Sequence, residues 1–319
     1  MAATAGVSTL LELRQLRPEN LLDLLAEEEG VWQRDMHWDF RPSSELVRRF
    51  LGLQALNGHA LCLRDEVIGY AYFVCEDYKG VIGDLYVRAR HRAPELEARL
   101  LEATVRTLLA VPNVRRVESQ LMLMGPESQS PLPFPERGRA FARDYMVAPL
   151  LAPSVLAEHP GTGTLRIEVW QDSFTQQAAR LIAEGYTGHV DADINDQYRS
   201  EAGARRFLHN IVQYPGCGSF FQPASVAAFD RETGRMTGLC LTSLIAFDTG
   251  HVTQVCVHPD WRGRGLGYEM MRRSLRALQL AGCRHASLTV TSSNTGARGL
   301  YELIGFATRR VFNAMVWEL

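Results

Sequence analysis

Val255-Cys256-Val257-His258-Pro259-Asp260-Trp261-Arg262-Gly263-Arg264-Gly265-Leu266-Gly267-Tyr268 is the stretch from which the fold of this chain is read. An apolar run ends at Val257, and Pro259 cannot donate to a strand ladder. Three glycines at alternate positions then lead to Met271, Leu275 and Leu278, spaced i, i+4, i+7 as on one helix face. Arg272, Arg273 and Arg276 take the opposite face, and Gly282 sits where a helix would end. A strand, a glycine loop and a helix in that order bring unpaired N–H groups and the positive end of a helix to one place. Arg262 and Arg264 add formal charge, so the loop is expected to hold a diphosphate. The spacing is G-x-G-x-G, not the G-x-G-x-x-G of dinucleotide folds, and no Lys-Ser/Thr follows as in a P-loop. The competing reading is a glycine turn that serves only close packing.

Working outward, Ala224–Phe229, Thr237–Phe247 and His251–Val257 read as strands. The first half repeats the order, with strands at His59–Arg64, Val67–Cys75 and Val81–Val87. A helix carrying Leu96, Leu100, Leu101, Val105 and Leu108 follows. Every residue from Gly80 to Val87 meets the one 170 positions on, from Gly250 to Val257, with no gap through the next helix. A repeat of that length predicts two copies of one supersecondary unit. Between them, Gly125 to Gly163 carries prolines at 126, 131, 133, 135, 149, 153 and 160, a density that favours linker. The expected domains are 1–160 and 161–319, joined near Gly161-Thr162-Gly163. A new strand is expected from Leu165 and a helix over Gln171–Glu184.

A second pattern follows the loop: Asn294, Ala297, Leu300, Tyr301, Gly305 and Phe306, after a strand at Ala286–Thr291. Together with Arg262-Gly263-Arg264-Gly265-Leu266-Gly267, it resembles the two signatures of the GCN5-related N-acetyltransferase (GNAT) family, Q/R-x-x-G-x-G/A and Asn-x-x-Ala-x-x-Leu-Tyr-x-x-x-Gly-Phe. The resemblance is specific over residues 224–319. It implies an α/β (α+β) fold of two GNAT-like domains, each a mixed, mostly antiparallel sheet flanked by helices. Two central strands of such a sheet splay to admit a pantetheine arm. It also implies acetyl-CoA as cosubstrate, no metal, and acetyl transfer to an amine of a small molecule or peptide. The alternative is a non-catalytic CoA-binding or scaffolding module. By the same resemblance Val255, Cys256 and Val257 run along the arm. Arg262, Gly263, Arg264, Gly265, Leu266, Gly267 and Tyr268 cradle the diphosphate, and Asn294 and Ala297 line the far wall.

Transfer from a thioester to an amine needs a neutral amine, a donor for the oxyanion and a proton for the departing sulfur. The resemblance gives Tyr301 the last role; its alternative is a core aromatic. The family's well-known base is a glutamate early on the central strand, where this chain has His251. That histidine is either a base acting through water or a strand-end residue with no role. Gln254 can orient a water but cannot act as a base. Asp191, Asp193, Asn195 and Asp196 cluster where an acceptor wall would stand, with helix capping as the plainer reading. Tyr186, Tyr198, Tyr214, Phe220 and Phe221 are either an acceptor pocket or core, and Cys217 has no histidine motif nearby to activate it.

The first copy breaks the loop. Arg92 stands for Arg262, but Ala93, Glu95 and Glu97 stand for the three glycines, and Pro94 removes a donor. Two carboxylates facing a diphosphate repel it, and the Asn…Leu-Tyr…Gly-Phe pattern is missing. This copy is expected to be degenerate, keeping the fold without the coenzyme. Length and composition fit a globular chain of two domains: 319 residues, 46% hydrophobic, net charge −2. No basic stripe suggests nucleic acid, and no apolar run reaches the roughly 18 residues that span a bilayer. No secretory leader pattern stands at the N-terminus. Six scattered cysteines without a C-x-x-C pair suit a reducing cytoplasm.

Overall fold

The computed structural model describes residues 8–125, 131–150, 156–159, 163–214 and 216–319. The expected junction at Gly161–Gly163 therefore lies largely outside the described residues. The chain divides into two units, residues 1–143 with 311–319, and residues 144–310.

The first unit runs through β1 (Thr9–Glu12), α1 (Leu22–Met36), α2 (Arg41–Gly52), β2 (Asn57–Leu63), β3 (Glu66–Glu76), β4 (Lys79–Val87), α3 (Pro94–Leu109) and β5 (Arg116–Gln120). Strands β1 to β4 pair antiparallel in sequence order, and β4 pairs parallel with β5. Strand β6 (Gly138–Pro149) leads out of this unit, its residues from Asp144 belonging to the second.

The second unit contains β7 (Leu165–Val169), α4 (Thr175–Gly185), α5 (Val190–Ile194), α6 (Glu201–Gln213), β8 (Ser219–Phe220), β9 (Val226–Asp230), β10 (Met236–Ala246), β11 (Thr249–Val257), α7 (Leu266–Leu280), β12 (His285–Thr291) and α8 (Thr295–Leu303). Its strands lie in the order β6, β12, β11, β10, β9, β7. Strands β11 and β12 pair parallel, and β7, β9, β10 and β11 pair antiparallel. The last strand, β13 (Ala307–Glu318), returns from Val311 to the first unit and pairs antiparallel with β5. That return, and the exit through β6, place the division of the chain at Arg143/Asp144 and Arg310/Val311. The first of these points falls inside the proline-rich stretch, upstream of the expected junction at 160/161.

Helix α7 covers one face of the second sheet with Met270, Met271, Leu275 and Leu278, all buried. Each such side chain contributes about 1.5–3 kcal/mol on leaving water. Helices α4 and α6 cover the other face through Ala178, Ile182, Ala204 and Leu208 against Leu239, Leu241 and Cys256. Arg272, expected on the solvent face of α7, is instead drawn in by Glu269 at 2.8 Å and is 7% exposed.

The two copies share the bounds of their central hairpins but not the pairing register: Tyr72 stands opposite Asp84, whereas Leu241 and not Thr242 stands opposite Gln254, because a second bulge skips Ile245. Both bounds of β3 and β4 recur 170 positions later in β10 and β11. A Cβ on Gly80 would stand 2.5 Å from Leu108, and one on Gly250 would stand 2.4 Å from Leu278, so one glycine–leucine approach is built twice. A bulge skips Gly83 in β4 and Thr253 in β11. The copies part at the loop. Helix α3 starts on Pro94, whose fixed φ suits a first helical position. In the second copy Gly263 and Gly265 hold φ of 73° and 78°, and helix begins only at Leu266.

Candidate active site

Strands β11 and β12 hydrogen-bond only from Thr249–Val252 to His285–Leu288. Beyond that, β11 runs to Val257 and β12 to Thr291 with no mutual ladder among the described residues, which opens a wedge between them. On its other side β11 stays paired, with Cys256 opposite Leu239 of β10. The carbonyls of Val255 and Val257 are therefore turned away from β10. The first accepts from the Tyr186 hydroxyl at 3.3 Å and the second from Arg262 Nε at 3.3 Å.

The glycine loop sits at the end of β11. Gly265 caps α7 in the left-handed conformation, which costs a side-chain-bearing residue about 1–2 kcal/mol. No acceptor is seen among the described residues for the N–H groups from Gly263 to Tyr268. Six successive donors at a helix N-terminus form an anion-binding nest. The loop arginines are used differently from what the sequence suggests. Arg262 also donates from Nη2 to Gly185 O at 2.6 Å, tying the end of α4 to the end of β11. Arg264 lies over the Trp261 ring at 5.1 Å. Leu266 packs in the core, and the Tyr268 hydroxyl donates to Ala157 O at 3.1 Å. Glu269 is buried, which works to raise its pKa. Hydrogen bonds from Arg272 and Arg273 outweigh that and hold it at about 2.

Across the wedge, the Asn294 side chain caps α8, accepting from Ala297 N at 3.2 Å. Ala297 packs against the core that also contains Tyr301, itself 9% exposed with the Phe306 ring 6.1 Å away. His251 lies at the closed end, where the strands still pair. It is 6% exposed, with Nδ1 2.9 Å from Ser287 Oγ and its ring parallel to Tyr145 at 6.2 Å.

The segment after α4 spans the open end. Gln254 Nε2 donates to the Tyr186 hydroxyl at 2.8 Å, and the Tyr198 hydroxyl donates to Gln254 Oε1 at 3.1 Å. The two tyrosine rings stack at 4.5 Å. Burial, more than the neighbouring Tyr198, Cys256, Asp191 and Tyr301, pushes the Tyr186 pKa well up. Thr291, at the end of β12, donates to Asp191, and Asn294 Nδ2 lies 3.3 Å from His189 Nε2.

Of the residues singled out from sequence, Tyr186, Tyr198, Asp191, Gln254 and Asn294 thus form connected polar networks. The others are used elsewhere. Asp193 faces Arg199 at 3.7 Å, Asn195 caps a short turn that begins at Asp196, and Tyr214 is 60% exposed. Phe220 lies on β8 and Phe221 packs at the edge of the core. Burial pushes the Cys256 thiol up to about 12, so it is no nucleophile at neutral pH. Sequence reasoning missed His189 and Thr291, because neither falls in a motif and both meet the site through a long loop closure. It also missed His159, whose ring lies against Gly265.

The same region of the first unit is filled by the chain itself. The Tyr72 ring lies on Gly83. Glu97, 2% exposed, sits in the first turn of α3 and pairs with Arg92 Nε at 3.3 Å, while Arg92 lies over Tyr86 at 5.4 Å. Glu27 accepts from Ala89 N at 2.7 Å, where the second copy has its loop.

Comparison with known proteins gives a consistent result. The sequence pattern of the Acetyltransferase (GNAT) family matches residues 190–306. The mycothiol acetyltransferase of Saccharopolyspora erythraea is 27% identical over 253 residues, 76% of this chain and 79% of that one. A Bacillus subtilis protein, provisionally assigned as a [ribosomal protein bS18]-alanine N-acetyltransferase, is 32% identical over 120 residues, 35% of this chain and 74% of that one. Among solved structures, a GCN5-related N-acetyltransferase from Sphaerobacter thermophilus superposes with a TM-score of 0.69 at 17% identity, covering 98% of this chain and 95% of that one.

Proposed function

The chain belongs to the GNAT family of acetyltransferases, and we propose that its second unit moves an acetyl group from acetyl-CoA to an amine of a small molecule or peptide. The observation that carries this reading is the wedge between β11 and β12 with the donor nest at its mouth. A long arm with a diphosphate at one end fits those two features together. The N–H groups from Gly263 to Tyr268 take the diphosphate, with Leu266 and Gly267 setting the helix start. The backbone of Val255 and Val257 holds the arm while Cys256 faces the α4 side, and Asn294 and Ala297 line the opposite wall. Arg262 and Arg264 support the loop, the first by bracing it on Gly185.

When bound, acetyl-CoA supplies the activated thioester. The amine nitrogen bonds to the carbonyl carbon and the carbon–sulfur bond breaks. Tyr301 gives its proton to the leaving sulfur. His251, on the same face of β11 as Gln254 and Cys256, receives the amine proton through water. A backbone N–H of β11 near the bulge stabilises the oxyanion. One relative is named for mycothiol and another for N-acetylation of an alanine of a ribosomal protein, which supports a small-molecule or peptide acceptor. The first unit keeps the fold without the coenzyme, because its own carboxylates occupy the loop region.

The test is acetyl transfer from acetyl-CoA to a panel of primary amines and peptide N-termini, with Tyr301→Phe alongside. A general acid contributes on the order of 10²–10⁴-fold. The variant should lose at least about 100-fold in kcat while binding CoA as the wild type does. Equal rates for the two proteins would refute the role of Tyr301, and no transfer to any amine would refute the reading.

A further inference from the structure

The Tyr186 hydroxyl reaches the open end of the wedge between β11 and β12, and its two hydrogen bonds run in a fixed direction. The Tyr198 hydroxyl donates to Gln254 Oε1 at 3.1 Å, so Gln254 presents its Nε2 to Tyr186, at 2.8 Å. An amide N–H donates and never accepts. The Tyr186 oxygen therefore accepts there, and its one hydrogen goes on to the Val255 carbonyl, at 3.3 Å. Burial holds the Tyr186 pKa well above the ordinary phenol value, so that hydrogen stays in place across the neutral range. The ring is clamped. It stacks on Tyr198 at 4.5 Å and meets the His189 ring edge-on at 5.3 Å, and the Tyr186 carbonyl accepts from His189 N at 3.0 Å.

Val255 is one of the two β11 residues whose carbonyls turn away from β10. On the reading of this unit as a coenzyme site, its oxygen is one that an amide N–H of the pantetheine arm takes. We propose that Tyr186 is a placeholder for the arm: its hydroxyl holds the Val255 carbonyl in the free protein and yields it to an arm N–H when the coenzyme binds. The proposal rests on that reading and adds to it a positioning residue that no motif marks. A carbonyl left bare in a half-buried wedge is costly, and the placeholder keeps this one satisfied and aligned until the arm arrives. The bond to Val255 is also the longest of the three in the chain, and so the first to give way. Tyr186 keeps its Gln254 partner after letting go, so its oxygen is not orphaned. The arm's hydrogen bond to Val255 is thus offset by one that is broken, and the coenzyme binds less tightly than that contact alone would allow.

The test is calorimetry on the full chain, wild type and Tyr186→Phe, with two ligands, CoA and ADP. ADP carries the diphosphate without the arm. Phenylalanine keeps the ring and its stacking and removes the hydroxyl; melting curves check that both proteins are folded. The proposal predicts that Tyr186→Phe binds CoA about two- to tenfold more tightly than the wild type, the net worth of one hydrogen bond that no longer has to break. Both proteins should bind ADP equally. A hydroxyl that only shaped the wedge would not produce this gain: its loss would weaken CoA binding or leave it unchanged, and either result would overturn the proposal. An equal gain for ADP would overturn it too, by placing the effect at the diphosphate. Failure of the wild type to bind CoA would strike the coenzyme reading itself, and the proposal with it.

Discussion

Asp84→Asn in the first unit should stabilise the protein at alkaline pH and leave it unchanged in acid. Asp84 on β4 and Glu28 on α1 are buried, 5% and 0% exposed. Asp84 accepts from Leu85 N at 2.8 Å, and Glu28 accepts from the Tyr70 hydroxyl at 2.8 Å and from Trp32 Nε1 at 3.4 Å. Burial raises both pKa values, Glu28 well above the carboxylate range with help from the Asp84 charge, and Asp84 from 3.8 to about 6. An acid whose pKa is higher in the folded state keeps its proton longer there. The contribution of Asp84 is then full below about pH 4 and is lost as pH rises through roughly 4–6. A shift of roughly two units corresponds to a loss on the order of 3 kcal/mol. Asparagine keeps the acceptor for Leu85 N and offers an N–H₂ to Glu28, so the second charge goes without orphaning a partner. For a unit of this size each kcal/mol moves the midpoint by about 2–4 °C. Scanning calorimetry should therefore show the Asp84→Asn transition of this unit roughly 6–12 °C higher at pH 8 and little changed at pH 4. A lower midpoint at pH 8, or an equal gain at both pH values, would refute the shared-proton reasoning.

Arg262→Lys keeps the charge but loses the planar fork that joins Val257 O to Gly185 O. Initial rates should show the acceptor KM raised about tenfold, because Tyr186 and His189 follow directly on the end of α4; an unchanged KM would contradict that bracing. His251→Gln should lower kcat by at least about 100-fold, the low end of general acid–base catalysis, with CoA affinity unchanged; an unchanged kcat would place the base elsewhere. Gly265→Glu adds positive-φ strain, a clash with His159 and a carboxylate beside the nest. Equilibrium dialysis should find CoA binding weakened at least about 100-fold, with the circular dichroism spectrum of the wild type retained.

Much of the fold was legible because it is written twice. The offset of 170 carries the strand bounds of β3 and β4, the Gly80–Leu108 contact and the bulge at Gly83, whereas the one-residue slip that Ile245 puts into the second hairpin leaves no mark in it. The wedge was implied by the motif that ends β11 and the one that opens α8. What escaped were features set by long-range closure. Nothing in Val311–Leu319 says that it returns to pair with β5. Arg272 looks like a solvent-face residue until Glu269, three positions earlier, is seen to be buried. The role of Arg262 and the place of His159 depend on groups 77 and roughly 110 positions away, which periodicity does not reach. No described helix is long and apolar enough to cross a membrane.

The claim on which the rest depends is one working coenzyme site in a chain with two copies of the fold. Titration of the purified full chain with acetyl-CoA in a calorimeter tests it most directly. One site per chain, lost in Gly265→Glu, is the predicted result. Two sites would contradict the retirement of the first copy, and heat-silent titration confirmed by dialysis as no binding would contradict the enzyme's use of this loop.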